Sequence, residues 1–179
     1  YTNKFDVQIE MYSRFKKEGY SVGWIGSRKE AVLCGGESIP EWLYGTQLSF
    51  KDKIVYFNHY VKEYIEKNKN EVLIIGVPGE VCINDNYFIG HAGELAVIIS
   101  QAVNASATIL CMMFDENIEK KTKIWGNYIE ERLGVQIKYF AITNRLYDNN
   151  ESDVVRKIKY TTLSNQTIHK MSKIFDGVY

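Results

Sequence analysis

The stretch that most constrains the fold of this chain is residues 71–81, EVLIIGVPGEV. Six consecutive apolar or glycine residues, VLIIGV, run without polar alternation into a Pro-Gly turn. A strand of this kind has to be covered on both faces, as strands in parallel sheets between helices are. We therefore predict a three-layer α/β sandwich with a mainly parallel sheet, and a ligand site where the strand ends.

Length and composition favour one soluble domain. The 179 residues carry 22 basic and 22 acidic side chains, so charge balance favours neither a nucleic acid nor a membrane surface as a partner. No apolar run approaches the roughly 20 residues that a membrane-spanning helix needs. The three cysteines have no motif spacing, which favours reduced thiols, and we predict a cytoplasmic location.

Hydrophobic periodicity separates helices from strands along the chain. Apolar residues at intervals of three or four predict helices over 4–18, 50–67, 92–103 and 118–133. Apolar or β-rich runs predict strands over 20–25, 72–77, 108–113 and 135–142, the last nearer a sheet edge because its first half alternates. Residues 40–48 fit either a short helix or a segment across the rim of the core.

The end of the chain is less regular. Residues 158–163 fit a further strand, and residues 164–175 fit a last helix that Ser164 caps. We predict a single domain over 1–179, with a core over 4–144 and an extension over 145–179. The loop GSRKEAVLCGGES follows the first strand, where loops often line a site.

Four phrases together resemble P-loop nucleotide-binding domains of the MinD-like and dethiobiotin-synthetase-like class. They are FKKEGYSVGWIGS, IIGVPGE, TILCMM with the preceding SQAVNASA, and AITNR, and the resemblance covers roughly residues 2–146. It implies that the first strand and the phosphate loop are missing or degenerate, because the chain opens on a helix. It also implies ATP or GTP as candidate ligands, Lys4 at the position of the phosphate-binding lysine and Asn144 as a reader of the base.

Two departures from that class concern the metal. Phe5 stands where the resemblance places the hydroxyl that holds Mg²⁺, and Gly76 stands where it places an aspartate. Phosphoryl transfer depends on the metal to neutralise developing charge, so we expect weak or absent hydrolysis. Binding without turnover stays compatible with the sequence, because the N-terminus of a helix attracts anions.

A closer resemblance links YTNKFDVQIE, GYSVGWIGSR, IIGVPGE and SQAV to the C-terminal part of a bacterial, largely clostridial peptide-maturation-system family. Its members accompany a radical-SAM maturase and a Cys-rich, bacteriocin-like precursor. The resemblance implies a role in maturing a ribosomally synthesised modified peptide, with the precursor peptide or the maturase as partner. A homodimer is a further candidate assembly.

Candidate ligand-binding residues lie at predicted strand ends and helix starts. Lys4 begins the first helix and is either a phosphate contact or a solvated lysine beside an N-cap. Arg28 is either a bidentate clamp for an anion or an ordinary surface arginine. The full set is Thr2, Asn3, Lys4, Ser27, Arg28, Pro78, Gly79, Gly90, Gly93 and Asn144.

Two residues after the central strand are candidate catalytic groups. Glu80 is a general base, a metal ligand, a carboxylate that positions water, or an exposed carboxylate in a turn. His91 is either a proton carrier or a structural or solvated loop residue. Cys34 and Cys82 have no CxxC partner, so we predict no metal site. Two other functions stay open: a non-catalytic peptide- or maturase-binding module that uses a sheet edge or the 78–93 loop, and a small-molecule enzyme that uses Glu80 and His91.

Overall fold

The computed structural model describes residues 2–79, 81, 93–147, 159–164 and 166–167. Its contacts group the chain into two compact units. The N-terminal unit comprises Lys4–Val81 and His91–Asn104, and the C-terminal unit comprises Tyr1–Asn3, Cys82–Gly90 and Ala105–Tyr179. The single domain over 1–179 stays a prediction. Among the described helices, none is both long and apolar enough to cross a membrane.

The described elements follow the predicted order closely. The N-terminal unit contains α1 (Lys4–Lys17), β1 (Val22–Gly26), a 3-10 helix (Lys29–Cys34), β2 (Glu37–Ser38), a second 3-10 helix (Glu41–Leu43), α2 (Phe50–Asn68), β3 (Val72–Ile75) and α3 (Glu94–Ala102). The C-terminal unit contains β4 (Thr108–Phe114), α4 (Ile118–Leu133), β5 (Ile137–Tyr147) and β6 (Tyr160–Thr162).

The N-terminal unit is built on a parallel sheet with the strand order β2-β1-β3. Successive strand residues point to opposite faces, and each face has its own apolar core. Ile25 and Ile75 pack with α2 and α3 on one face, whereas Trp24 and Ile74 pack with α1 on the other. This unit is therefore a three-layer α/β sandwich, as residues 71–81 predict.

The helices of this unit begin and end at residues suited to those positions. Ser49 caps α2, because its hydroxyl accepts a hydrogen bond of 3.2 Å from the backbone N–H of Asp52. Phe57 and Val61 of α2 are buried in the core. On the other face, the Trp24 ring lies 5.5 Å from the ring of Phe5. Burial of such large apolar side chains contributes roughly 1.5–3 kcal/mol each.

The C-terminal unit contains a second, mixed sheet with the order β4-β5-β6. β4 and β5 are parallel, and β5 and β6 are antiparallel. α4 packs on β5, since a Cβ added at Gly126 would lie 3.2 Å from the Phe140 ring. Gly134 ends α4 in the left-handed conformation at φ 64°, which is the usual role of a glycine just after a helix.

Two predictions about the strands need correction, and a third holds only for the first half of β5. The described strands form two three-stranded sheets, not one. β5 is the middle strand of its sheet, although β6 pairs only with its last three residues, from Arg145 to Tyr147. Its alternating first half therefore has β4 as its only described partner, which is the environment of an edge. β5 also continues to Tyr147, so Asn144 lies within the strand and not at its end.

The predicted last helix is described only at its start. Ser164 accepts a hydrogen bond of 3.2 Å from the backbone N–H of Thr167, which is the contact expected of the predicted N-cap. The rest of the predicted helix lies outside the described residues.

Candidate functional site

The candidate site lies at the carboxyl edge of the parallel sheet in the N-terminal unit. β1 and β3 end together there, because Ile25 pairs with Ile75 and the Gly76 N–H donates to the Ile25 carbonyl at 2.8 Å. Ser27 and Pro78 consequently leave the sheet at the same edge. Ligands of open α/β sheets bind outside this edge, so the position itself favours a site.

An open cleft of about 600 Å³ lies at this edge, beside the end of β1. It has room for a small molecule, and its wide opening leaves one side of such a molecule in solvent. Residues from the segment that follows β1, from both 3-10 helices and from the end of β2 form its walls. The lining residues are Ser27, Arg28, Lys29, Glu30, Ser38, Ile39, Glu41 and Tyr44.

The charges around the cleft balance one another. Lys29 donates a hydrogen bond of 2.5 Å to Glu41, and these side chains are 81% and 78% exposed. The hydrogen bond and the charge of Glu41 raise the pKa of Lys29, and the same contact lowers the pKa of Glu41. Arg28 and Glu30 complete a lining with two cations and two anions. Selection of an anion here has to come from the placement of groups and not from net charge.

Arg28 is the cation of the cleft that has no carboxylate partner among the described ion pairs. Its guanidinium lies over the Phe5 ring, 5.5 Å from the ring centroid. Such stacking holds the planar group while its N–H edges stay able to donate. Phe5 therefore supports Arg28 at this edge of the sheet.

A buried glutamine joins α1 to this edge. Gln8 is 6% exposed and uses its whole side-chain amide. Its Nε2 donates to the Ser27 hydroxyl at 3.0 Å and to the Lys4 carbonyl at 2.9 Å. Its Oε1 accepts from the Trp24 indole N–H and from the Ser27 backbone N–H, each at 3.2 Å. Gln8 therefore fixes the first turns of α1 against the end of β1.

Sequence reasoning missed Gln8, although a signal was present. Gln8 lies three residues after Phe5 and four before Tyr12, so it occupies the apolar stripe of α1. A polar residue on a buried stripe has to find hydrogen-bond partners, and this one finds four groups. The position of Gln8 on the apolar stripe therefore predicts a buried side chain with hydrogen-bond partners.

Gly76 provides the space that Gln8 occupies. A Cβ at residue 76 would overlap Gln8 Oε1 and would lie 2.6 Å from the backbone nitrogen of Ser27. The P-loop resemblance places a metal-binding aspartate at this position, where the chain has Gly76. The structure gives a second reason for glycine, because any side chain here would displace the amide that holds α1.

Lys4 and Gly79 meet at the same edge. Lys4 Nζ donates a hydrogen bond of 2.7 Å to the Gly79 carbonyl, which joins the start of α1 to the turn after β3. Gly79 has φ 83°, and Asn3, just before α1, has φ 51°. Pro78 is buried within this turn. Lys4 is thus neither simply solvated nor placed among the residues that line the cleft.

The start of α3 carries another predicted residue. Gly93 is buried and has φ 73°, so a side chain there would be strained. Glu94 forms an ion pair of 3.2 Å with the buried Lys53 of α2. This contact joins the first turns of α2 and α3.

The remaining candidates are not among the described residues that line the cleft. Glu80, Gly90, His91 and Cys82 lie outside the described residues. Asn144 and Thr2 belong to the C-terminal unit. The Asn144 carbonyl accepts a hydrogen bond of 2.7 Å from the N–H of Leu163. Cys34 is exposed, and the described part of the chain contains no cluster of three potential metal ligands.

Comparisons with protein families, with curated proteins and with solved structures find no match to this chain. The two resemblances of the sequence analysis therefore stay predictions.

Proposed function

We propose that the N-terminal unit binds the phosphate groups of a small molecule, with a nucleotide such as ATP or GTP as the leading candidate. The observation that carries the proposal is the cleft at the carboxyl edge of the parallel sheet, where Ser27 and Arg28 follow the end of β1. Hydroxyl and guanidinium groups are donors that suit phosphate oxygens. Because the charges of the lining residues balance, anion binding would depend on hydrogen bonds from Ser27 and Arg28 and not on net charge.

A P-loop-like ancestry, with the first strand and phosphate loop missing or degenerate, is the finer proposal for the fold. Two features support it: the parallel β1-β3 pair, and the contact that joins the start of α1 to the turn after β3. We propose binding with weak or absent hydrolysis. Gly76 has no room for the carboxylate that would position a metal ion, so this strand end lacks that ligand.

Titration calorimetry with ATP, GTP and tripolyphosphate, each with and without Mg²⁺, tests this function. The Arg28→Ala variant should bind about tenfold more weakly, because one charge-assisted hydrogen bond is lost. Arg14→Ala is the matched control. Arg14 lies in the last turn of α1, is 73% exposed and pairs with Glu10, so its loss removes the same charge away from the cleft. Absence of binding by the wild-type protein at millimolar concentration would end the proposal.

The broader role that we propose is service in the maturation of a ribosomally synthesised modified peptide. The family-like phrases of the sequence support this role. One structural feature favours direct contact with a peptide, since Val32, Leu33 and Tyr44 are exposed apolar side chains at or beside the cleft. Contact between such side chains and a partner removes apolar surface from water.

A peptide-binding module is accordingly the second candidate function. Leu33 is 87% exposed, so Leu33→Ser can change the surface without opening the core. Fluorescence anisotropy with a labelled precursor peptide should show weaker binding by this variant than by the wild type. Equal binding by both proteins would show that the exposed Leu33 side chain is not part of a peptide-binding surface. The enzyme hypothesis on Glu80 and His91 stays a prediction, because both residues lie outside the described part of the chain.

A further inference from the structure

We propose that Gln8 commits the Ser27 hydroxyl to donate a hydrogen bond into the cleft, so that the cleft selects ligands with an oxyanion at this position. This inference rests on the proposed function and deepens it. It names Ser27 as a ligand contact and Gln8 as the positioning residue that fixes the direction of the Ser27 hydroxyl.

The orientation of the Gln8 amide follows from its neighbours. The Trp24 indole N–H and the Ser27 backbone N–H can only donate, and both contact one end of the amide. The Lys4 carbonyl can only accept, and it contacts the other end. Rotation of the amide by 180° would place its NH₂ group against two donors and its oxygen against an acceptor. Three independent groups thus require Oε1 to face Trp24 and Nε2 to face Lys4.

The orientation of Gln8 determines what the Ser27 hydroxyl can do. Nε2 is a donor, so the Ser27 oxygen accepts at 3.0 Å and its own hydrogen has to point away from Gln8. Within the described residues, this contact with Gln8 is the one hydrogen bond of the hydroxyl. Ser27 is 8% exposed and is one of the residues that line the cleft, so under this proposal the remaining hydrogen of its hydroxyl points to the cleft side.

The chemical class of the ligand follows from this donor. Phosphate and carboxylate oxygens accept hydrogen bonds, whereas an ammonium group only donates and would meet the hydroxyl donor. Arg28 is the next residue along the chain and also lines the cleft. A hydroxyl donor followed by a guanidinium suits an oxyanion and disfavours a cationic ligand.

Calorimetry with tripolyphosphate separates this inference from the proposed function. Ser27→Ala removes the donor and should weaken binding about tenfold, and Ser27→Thr, which keeps a hydroxyl, should bind within about threefold of the wild type. Equal affinity of the wild type and Ser27→Ala would overturn this inference alone. Absence of binding by the wild type would overturn the proposed function and the ligand class with it. Thermal melts of each variant confirm that the folded state is being compared.

A measurement without ligand tests the positioning role of Gln8. Nuclear magnetic resonance of ¹⁵N-labelled protein should show a Gln8 side-chain amide whose protons exchange slowly with water, because both ends of the amide are bonded. Gln101, an exposed glutamine of α3, is the internal reference for rapid exchange. Exchange of the Gln8 amide as rapid as that of Gln101 would overturn the fixed orientation, and with it the committed donor.

Discussion

Gly76→Ala is the substitution that tests the packing at the candidate site most severely. The added methyl group would overlap Gln8 Oε1 and lie 2.6 Å from the backbone nitrogen of Ser27, where no Cβ fits without movement. Because the Ser27 nitrogen is backbone, Gln8 has to move. Its displacement would leave the Trp24 indole N–H and the Ser27 N–H without the acceptor that they now share.

The expected cost of Gly76→Ala combines two effects. Overpacking a well-filled site costs roughly 1–3 kcal/mol. Loss of the buried hydrogen bonds from Trp24 and Ser27 costs about 1 kcal/mol each. The two effects overlap, so we expect the free energy of unfolding to fall by about 3–4 kcal/mol, a large part of the roughly 5–15 kcal/mol typical of domains.

Urea denaturation followed by circular dichroism measures this loss, and Gly45→Ala is its matched control. A Cβ at residue 45 would meet its nearest atom, the Trp42 carbonyl oxygen, at an ordinary 3.5 Å, and Gly45 has no positive φ. The control should change stability by less than about 1 kcal/mol. If Gly76→Ala is as stable as Gly45→Ala, the tight contact between residue 76 and Gln8 is wrong.

Two further predictions concern how Tyr60 and Asp115 make the stability of the protein depend on pH. Tyr60 is partly buried and donates a hydrogen bond to Glu37, and both effects raise its pKa above the usual value of 10.0. The stabilising effect of the neutral Tyr60 hydroxyl is therefore present below pH 10 and is lost as the pH rises beyond it. Tyr60→Phe should remove the latest step from an absorbance titration at 295 nm; an unchanged titration curve would contradict the assignment. Burial raises the pKa of Asp115, but the hydrogen bonds from Lys121 and the Asn117 N–H outweigh it and lower the pKa below 3.8. The contribution of ionised Asp115 to the free energy of unfolding is therefore lost as the pH falls through that lower value. In the Asp115→Asn variant, the free energy of unfolding should depend less on pH below pH 4, by less than about 1 kcal/mol. Identical acid profiles of the two proteins would argue against the lowered pKa.

The helices and strands could be predicted because each carries a local signal. Phe5, Ile9 and Tyr12 recur at helical spacing, and the structure places them against Trp24 on one face of the sheet. The uninterrupted VLII run predicts a strand with two covered faces, which is the environment of β3. Periodicity records which face of an element is buried, so it identifies elements and layers well.

The walls of the cleft could not be predicted in the same way. Two short 3-10 helices form them, and such helices have little periodicity to detect. The contact between Lys29 and Glu41 joins residues 12 apart, and Gln8 meets Ser27 across 19 residues. These contacts depend on tertiary placement, which a single sequence does not record. The division of the strands between two sheets depends on it as well.

The most direct test of the central claim is a titration of ¹⁵N-labelled protein with tripolyphosphate, followed residue by residue in amide correlation spectra. Binding in the cleft should give the largest shifts at Ser27, Arg28 and Lys29. Asn70 and Glu71 are the internal controls, because they precede β3 and lie at the opposite edge of the sheet. The account predicts little change at these two residues, and shifts concentrated there, with Ser27 and Arg28 unaffected, would contradict a phosphate site at the carboxyl edge.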